Sequence, residues 1–189
     1  MRSAIALIIG VWMMGWLSTA QADATAWDIV QDESRLGFVA TQDGDEFEGE
    51  FAEFETEIRF SKAALEESRF DVTIDVTSID AGNSQRNDAL PDEEWFFFER
   101  FPQASYVTSA IREGDEAPFE ALGTLTLRGI EREVVLPFEW RTDGDRASMQ
   151  GRTTLNRTDF GIGQGEWAED DTVAYPVEVV VDLTLERSD

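Results

Sequence analysis

The sequence predicts an all-β domain, built as an antiparallel barrel or sandwich of about eight strands. Apolar and polar residues alternate over several short stretches, as they do in half-buried strands. Turn-forming residues separate these stretches, and the few helix signals do not alternate with strands as a parallel sheet requires. Long strands without an exposed apolar edge favour the closed barrel over the sandwich, because closure removes the edges.

The predicted strands follow one another along most of the chain. The first covers residues 35–41, and the second covers residues 46–60. Within the second strand the apolar residues change phase after Phe51, and a bulge near Ala52 and Glu53 explains the change. The later strands are predicted at residues 70–77, 106–112, 121–127, 133–140, 147–156 and 173–185.

One connection and the last strand carry the clearest local signals. Residues 128–131 join two strands as a hairpin, in which Gly129 is expected to take a positive φ. Residues 173–185 place an apolar side chain at every second position, which is typical of a strand with one buried face. Pro176 predicts an edge or a bulge near the start of that strand, since proline donates no ladder hydrogen bond.

Short helices are predicted at two places. Ser61 is a suitable N-cap for a helix over residues 62–67. Asn83 is a suitable N-cap for a second helix over residues 84–90, which Pro91 ends. Both helices are too short to form a structural layer of their own.

Residues 1–22 have the features of a secretory signal sequence. Arg2 supplies a positive charge, residues 4–17 form an apolar run, and Ala20-Gln21-Ala22 is a cleavage motif. The run is too short for a comfortable membrane span, and no other long apolar run follows. We therefore expect a mature chain of residues 23–189 that forms one domain in the periplasm or outside the cell, with no integral membrane span after cleavage.

The composition argues against several functional classes. The chain has 40 acidic and 15 basic residues and a net charge of −25, which disfavours binding to nucleic acid or to anionic lipid headgroups by bulk electrostatics. It contains no histidine and no cysteine, which rules out Ser-His-Asp and Cys-His catalysis. The same absence weakens the case for zinc, copper or haem. We expect neither a cofactor nor a metal site.

Five large aromatic residues between Ser78 and Tyr106 follow neither a helix period nor a strand period. Each buried ring removes about 150–250 Å² of surface from water, so a soluble protein cannot leave all of them exposed. The rings either form a core that caps one end of the barrel or line a cavity, and a cap can also serve as a wall. These residues are Trp95, Phe96, Phe97, Phe98 and Phe101.

Arg86 and Arg157 are the candidate polar residues of a binding site. In one interpretation each forms a buried or half-buried pair with a carboxylate, such as Asp80 or Asp159, and fixes the geometry of a loop. In the other interpretation one of the two binds a phosphate or carboxylate headgroup through two hydrogen bonds. The residues alone leave both interpretations open.

Neighbouring carboxylates are a further candidate, for example Asp92 with Glu93 and Asp170 with Asp171. Paired carboxylates hydrolyse glycosides in many enzymes. With 40 acidic residues in the chain, however, such pairs are expected by chance. A carboxylate-based enzyme is therefore the least favoured function.

A series of short motifs runs in a specific order from Trp27 to Glu186. The motifs are Trp27-Asp28-Ile29, Ser34-Arg35-Leu36-Gly37-Phe38, Gly49-Glu50-Phe51 with Phe54, Ser78-Ile79-Asp80 with Asn83 and Arg86, Trp95-Phe96-Phe97 with Phe101-Pro102, residues 123–129 and residues 154–162. In this order and spacing the chain resembles the YceI-like family of bacterial polyisoprenoid-binding proteins.

The resemblance implies an antiparallel eight-stranded lipocalin-like barrel with one or two short helices and an elongated apolar interior that binds a long isoprenoid or similar lipid. It implies no firmly attached enzymatic activity. The chain departs from the family pattern at Glu33, where members often have histidine, and at residues 86–89, where an Arg-Asp pair followed by histidine is common. Headgroup chemistry that uses those histidines does not carry over.

We interpret the chain as a periplasmic protein that sequesters or carries a long-chain polyisoprenoid or quinone-like amphiphile inside the barrel, without catalysis. The alternatives are a periplasmic interaction module with a solid core and an acidic binding face, and the carboxylate-based enzyme. No nucleic-acid partner is expected, and a homodimer is left open. The expected ligand-binding residues are Phe38, Phe51, Ile74, Arg86, Trp95, Phe96, Phe97, Phe101, Phe138, Arg157 and Phe160.

Overall fold

A computed structural model describes residues 23–188 of the chain. The proposed signal sequence, residues 1–22, lies outside the described residues. The described chain forms strands throughout, and the strands are β1 Thr25–Ile29, β2 Arg35–Gln42, β3 Asp45–Phe51, β4 Phe54–Phe60, β5 Arg69–Asp75, β6 Ile79–Asp80, β7 Gln103–Glu113, β8 Phe119–Leu127, β9 Ile130–Asp143, β10 Arg146–Asn156 and β11 Pro176–Arg187.

Eight of these strands close into an antiparallel barrel. Their order around the barrel is β1, β4, β5, β7, β8, β9, β10 and β11, and β11 pairs with β1 to complete the circle. The remaining strands continue one wall, because the first half of β11 pairs with β2, β2 pairs with β3, and β3 pairs with β6. The predicted fold class, an eight-stranded antiparallel barrel, is confirmed.

Local signals in the sequence account for most element boundaries. The phase change at Ala52 and Glu53 is real, but it separates two strands that have different partners, β3 and β4, and is not a bulge inside one strand. The hairpin between β8 and β9 turns on two residues, Arg128 and Gly129, with φ of 52° and 71°. Positive φ at both positions matches the right-handed twist of the flanking strands. The predicted connection of residues 128–131 was therefore too long by two residues.

The helix prediction is correct at one place and wrong at the other. Helix α1 spans Ser84–Ala89, and the Asn83 side chain caps it by accepting hydrogen bonds from the backbone N–H groups of Gln85 and Arg86. The helix expected over residues 62–67 is only a 3₁₀ turn at Leu65–Glu67. The Ser68 hydroxyl accepts from Ser61 N–H and donates to the Ala64 carbonyl, so side-chain hydrogen bonds hold this segment as a turn. Further 3₁₀ turns occur at Gln31–Glu33, Val76–Ser78, Arg157–Phe160 and Gly165–Trp167.

One end of the barrel is filled with aromatic side chains, which we call the floor cluster. Its rings touch edge to face or at a tilt, with centroids 4.5 Å apart for Phe60 and Trp140 and 5.3 Å apart for Phe70 and Phe138. Such packing blocks this end of the barrel. The floor cluster consists of Trp27, Phe60, Phe70, Phe119, Phe138 and Trp140.

The opposite end of the barrel is covered by two long connections. The first, residues 76–102, contains α1 and the aromatic run, and it begins and ends at a hydrogen bond from Val76 N–H to the Pro102 carbonyl. The second, residues 157–175, joins β10 to β11. Within residues 23–188 no helix is both long enough and apolar enough to cross a membrane.

Candidate functional site

A cavity of about 520 Å³ lies beneath the two connections at the covered end of the barrel. We call it the outer cavity. A volume of this size is typical of a site for a small organic molecule. Its apolar wall combines strand residues with residues of both connections, and it includes Phe38, Phe47, Phe51, Leu90, Trp95, Phe96, Leu127, Leu155, Phe160, Ile162, Val177 and Val179.

A second, smaller cavity of about 150 Å³ continues toward the middle of the barrel. We call it the inner cavity. It shares Phe51, Leu127, Leu155 and Val179 with the outer cavity, so the two spaces adjoin. Its deeper wall reaches Phe70, a member of the floor cluster. The two cavities therefore form one blind apolar space that runs from the covered end toward the floor cluster.

The outer cavity opens between the β2–β3 turn and α1. Four residues on its wall are also exposed to solvent, namely Asp43 and Asp45 in the turn and Asn83 and Gln85 at the start of α1. A residue that both lines a cavity and faces solvent marks the mouth. We call these residues, together with Gln42 and Arg86, the rim.

Arg86 spans the rim from α1 to β2. Its Nε donates to Gln42 Oε1 at 2.8 Å, and its Nη1 donates to the Ala81 carbonyl at 3.0 Å. The guanidinium lies 3.8 Å from the centre of the Phe47 ring, an arrangement that adds a cation–π attraction. Its Nη2 donates to no other group among residues 23–188. Arg86 therefore joins the two sides of the mouth and keeps three of its five N–H groups without a partner in the described chain.

Arg157 is buried, with 4% of its surface exposed, and binds backbone carbonyls. Its three nitrogens donate to six carbonyl oxygens at 2.8–3.2 Å. Burial lowers the pKa of the guanidinium, yet arginine remains protonated at neutral pH. The accepting carbonyls belong to Ile162, Gly163, Trp167, Glu169, Val173 and Ala174.

The interpretation in which Arg86 and Arg157 each pair with a carboxylate is wrong. Neither arginine forms an ion pair within the described part of the chain, and the Asp80 carboxylate accepts from Gly82 N–H and the Asn87 side chain. A carboxylate brought near Arg157 would have to lose its hydration in a largely buried place. Backbone carbonyls satisfy the same donors without a second buried charge.

Two residues of the aromatic run line the outer cavity, and the other three, Phe97, Phe98 and Phe101, line neither cavity. Trp95 and Phe96 turn inward and line the outer cavity. Phe97, at a φ of 54°, turns the chain so that its ring packs on Phe101 at 6.1 Å, and Phe101 in turn covers Gly129 of the β8–β9 hairpin. Phe97 and Phe101 lie outside both cavities.

The structure brings most of the predicted binding residues to one place. Phe138 lies with 1% of its surface exposed in the floor cluster, away from both cavity walls. Sequence reasoning missed Phe47, Leu127, Leu155 and Val179, although the strict alternation of the last strand already placed Val179 among its inward side chains. The predicted residues that line a cavity are Phe38, Phe51, Ile74, Arg86, Trp95, Phe96, Arg157 and Phe160.

Two buried polar atoms on the cavity walls lack a hydrogen-bond partner among the described residues. They are Nε1 of Trp95 in the outer cavity and Oγ1 of Thr56 in the inner cavity. No group of three or more acidic side chains between residues 23 and 188 is placed to hold a metal ion. The walls therefore offer apolar contact and a few isolated hydrogen-bonding groups.

Asp80, at the end of β6, binds the Asn87 side chain of α1 and so positions one side of the rim. Its Oδ1 accepts from Asn87 Nδ2 at 2.9 Å and from Gly82 N–H at 2.8 Å, and these hydrogen bonds lower the pKa of the Asp80 carboxyl below its usual value of 3.8. A folded-state pKa below the unfolded one contributes stability above the unfolded pKa, and that contribution is lost as pH falls through the folded pKa.

We expect Asp80→Asn to be less stable than the wild type at pH 7, because an amide accepts these hydrogen bonds more weakly than a carboxylate does. The difference should disappear in strong acid, where Asp80 is protonated in both the folded and the unfolded wild type. Urea unfolding at both pH values measures it. A difference that is the same at both pH values would contradict the role given to the ionised carboxylate.

Comparison with known proteins identifies the family of this chain. The model of the YceI-like domain matches residues 27–185 of the chain. The chain belongs to the YceI-like family. A UPF0312 protein of Pseudomonas savastanoi pv. phaseolicola is 26% identical to this YceI-like chain over 171 residues, which is 85% of the chain and 87% of the relative.

Solved structures show the same YceI-like fold. BcnA of Burkholderia cenocepacia has a TM-score of 0.77 and 30% identity to this chain, and the match covers 83% of this chain and 99% of BcnA. A polyisoprenoid binding domain from Saccharophagus degradans, implicated in plant cell wall breakdown, has a TM-score of 0.66 and 16% identity, with coverage of 87% and 99%. At 16% identity the second likeness concerns the fold alone.

Proposed function

We propose that this YceI-like chain binds a long-chain isoprenoid or quinone-like lipid inside its barrel, in the periplasm or outside the cell, without catalysing a reaction. The pair of adjoining apolar cavities with one mouth carries the proposal. A linear polyprene has almost no polar atoms, so its site needs only a long, dry wall of aliphatic and aromatic side chains. The polyisoprenoid binding domain of Saccharophagus degradans shares the fold, which is in keeping with this proposal.

The two ends of the cavity suggest how such a lipid lies. The tail points inward to the inner cavity, where each buried methylene adds about 0.8 kcal/mol. The headgroup stays at the rim, where Arg86 lines the cavity and has N–H groups without a partner in the described chain. A signal-like segment at residues 1–22 supports export, because it has the charge, apolar run and Ala-x-Ala motif of a secretory signal.

The alternative functions fit the structure less well. An interaction module with a solid core does not need an outer cavity of about 520 Å³. The adjacent carboxylates named as enzyme candidates, Asp92 with Glu93 and Asp170 with Asp171, are exposed and do not line either cavity. Lipid binding is the function that uses the apolar interior.

Protein purified from its host and extracted with organic solvent tests the proposal. Native mass spectrometry before extraction and lipid mass spectrometry afterwards should show one or a few prenylated molecules bound to the barrel. A protein that releases no lipid, and takes up no isoprenoid offered in detergent, would refute it.

We expect Val179→Trp to reduce isoprenoid binding at least tenfold, because Val179 lines both cavities and a large ring there blocks the passage between them. Val180→Trp is the matched control, since successive side chains of a strand point to opposite faces. Circular dichroism checks that both variants fold. Equal binding by the two variants would show that the lipid does not occupy this passage.

A further inference from the structure

The charge pattern around the mouth bears on the headgroup that this site accepts, an argument that rests on the proposed function. Residues 42–50, which include the end of β2 and most of β3, contain five acidic side chains and no basic one. Arg35 pairs with two of them, Glu48 and Glu50, which leaves Asp43, Asp45 and Glu46 without an ion pair in the described chain. Residues 83–94, on the other side of the mouth, contain four acidic side chains and Arg86 as the one base. Asp43 and Asp45 lie on the cavity wall itself.

The two arginines of the wall do not compensate for these carboxylates. Arg157 already donates to six carbonyl oxygens, so it has no N–H group left for a ligand. Arg86 has two of its five N–H groups engaged by Gln42 and Ala81, so it is the one arginine of the wall that keeps donors for a ligand. Sites for phosphate groups normally bring several arginines, lysines or backbone N–H groups to one point.

Apart from Arg86 and Arg157, no basic residue between positions 23 and 188 lines either cavity. The one lysine of the chain, Lys62, lies at the closed end of the barrel, 5.7 Å from the centre of the Phe119 ring. The net charge of −25 raises the cost of bringing a further anion to the surface. An uncharged oxygen, by contrast, needs only one or two donors. Trp95 Nε1 has no partner among residues 23–188, and Arg86 uses only Nε and Nη1 in its hydrogen bonds there.

We infer that the site selects isoprenoid lipids with an uncharged, oxygen-bearing headgroup and discriminates against the same tails carrying a phosphate or diphosphate. The rim carboxylates supply the repulsion, and the tail supplies most of the affinity. The site thus binds the dephosphorylated or otherwise neutral form of an isoprenoid more tightly than the charged form.

Geranylgeraniol and geranylgeranyl diphosphate test this inference because they share one tail. Each competes with a fluorescent isoprenoid probe for the lipid-free wild type at low salt. We expect the alcohol to bind at least about tenfold more tightly, a difference of about 1.4 kcal/mol. The ratio should shrink in about 1 M salt, where the Debye length is about 3 Å.

The double variant Asp43→Asn, Asp45→Asn locates the effect at the rim. It should improve binding of the diphosphate several-fold at low salt and so reduce the alcohol-to-diphosphate ratio. The matched control, Asp115→Asn with Glu116→Gln, removes the same charge in the exposed turn between β7 and β8, at the closed end. Comparing the alcohol-to-diphosphate ratio between variants cancels any difference in solubility between the two ligands.

The outcomes separate this inference from the proposed function. If the diphosphate binds the wild type as tightly as the alcohol, or if the rim variant and the control change the ratio equally, the inference is overturned while lipid binding stands. If neither ligand displaces the probe and the probe itself does not bind, both the inference and the proposed function are overturned.

Discussion

Arg157→Met should destabilise the protein by about 3–5 kcal/mol, close to the loss seen when one partner of a buried charged network is removed. The methionine side chain fills similar space but donates no hydrogen bond. Six carbonyl oxygens then lose a donor in a place that water does not readily reach, and each unsatisfied group costs about 1–3 kcal/mol before the loop relaxes. Urea unfolding followed by circular dichroism measures the loss.

Arg157→Lys separates charge from geometry. Lysine retains the positive charge but offers three donors on a point-like ammonium, whereas the guanidinium holds five N–H groups in a planar fork. Gly163, at a φ of 75°, lets its backbone pass directly beside the Arg157 Nη1, where any larger residue would collide with it. We therefore expect the lysine variant to be intermediate in stability, since the loop is shaped around the fork.

Arg152→Met is the matched control for Arg157→Met. Arg152 lies on β10, shortly before Arg157 in the chain, but its side chain is 66% exposed and its partner is the Glu178 carboxylate at 2.6 Å. Exposed ion pairs of this kind contribute about 0–1 kcal/mol. If Arg157→Met lost no more stability than Arg152→Met, the carbonyl network would not be what holds the 157–175 connection in place.

The strands were predictable because alternation is a local signal. β11 and β10 begin and end close to where the sequence places them, and Asn83 caps a helix as its side chain requires. β1 was missed, since Thr25–Ile29 is too short to show a clear period. The barrel was favoured over the sandwich on a weaker basis, the absence of an exposed edge.

The site was harder to predict because depth along the barrel depends on register. Phe138 and Phe160 are both aromatic, but Phe138 pairs across from Phe119 at the floor, while Phe160 follows the end of β10 under the covering loops. No sequence period distinguishes them. The aromatic run likewise has no period, so the left-handed turn at Phe97 that sends two rings outward could not be anticipated.

The partners of Arg157 show a different limit. A guanidinium and a carboxylate attract each other in any sequence, so an ion pair was a reasonable expectation. Backbone carbonyls carry no sequence signal, and only the folded connection turns six of them toward one point. The glycines at 161, 163 and 165, which all adopt positive φ, were the one hint that this connection is tightly folded.

Phe138→Ala should destabilise the protein by about 3–5 kcal/mol, the usual range for removing a fully buried phenylalanine ring. Phe138 is 1% exposed and its ring touches those of Phe60, Phe70 and Phe119 with centroids 5.3–5.6 Å apart. The resulting void lies against Phe70, which also lines the inner cavity. The same substitution should therefore deepen the lipid site.

We expect this deepening to change the tail length that the protein prefers. In the wild type, affinity for a series of all-trans isoprenoid alcohols should rise with length until the tail reaches the floor cluster, and then level off. In Phe138→Ala the rise should continue to a longer alcohol, because Phe70 can move into the void.

Should Phe138→Ala unfold, Phe138→Leu serves instead, since it removes fewer atoms from the same place. Phe97→Ala is the control, because its ring packs on Phe101 outside both cavities and its loss should leave the length profile unchanged. A Phe138 variant that is less stable but keeps the wild-type length profile would show that the tail stops short of the floor cluster, and that the depth of this barrel does not set the length of its ligand.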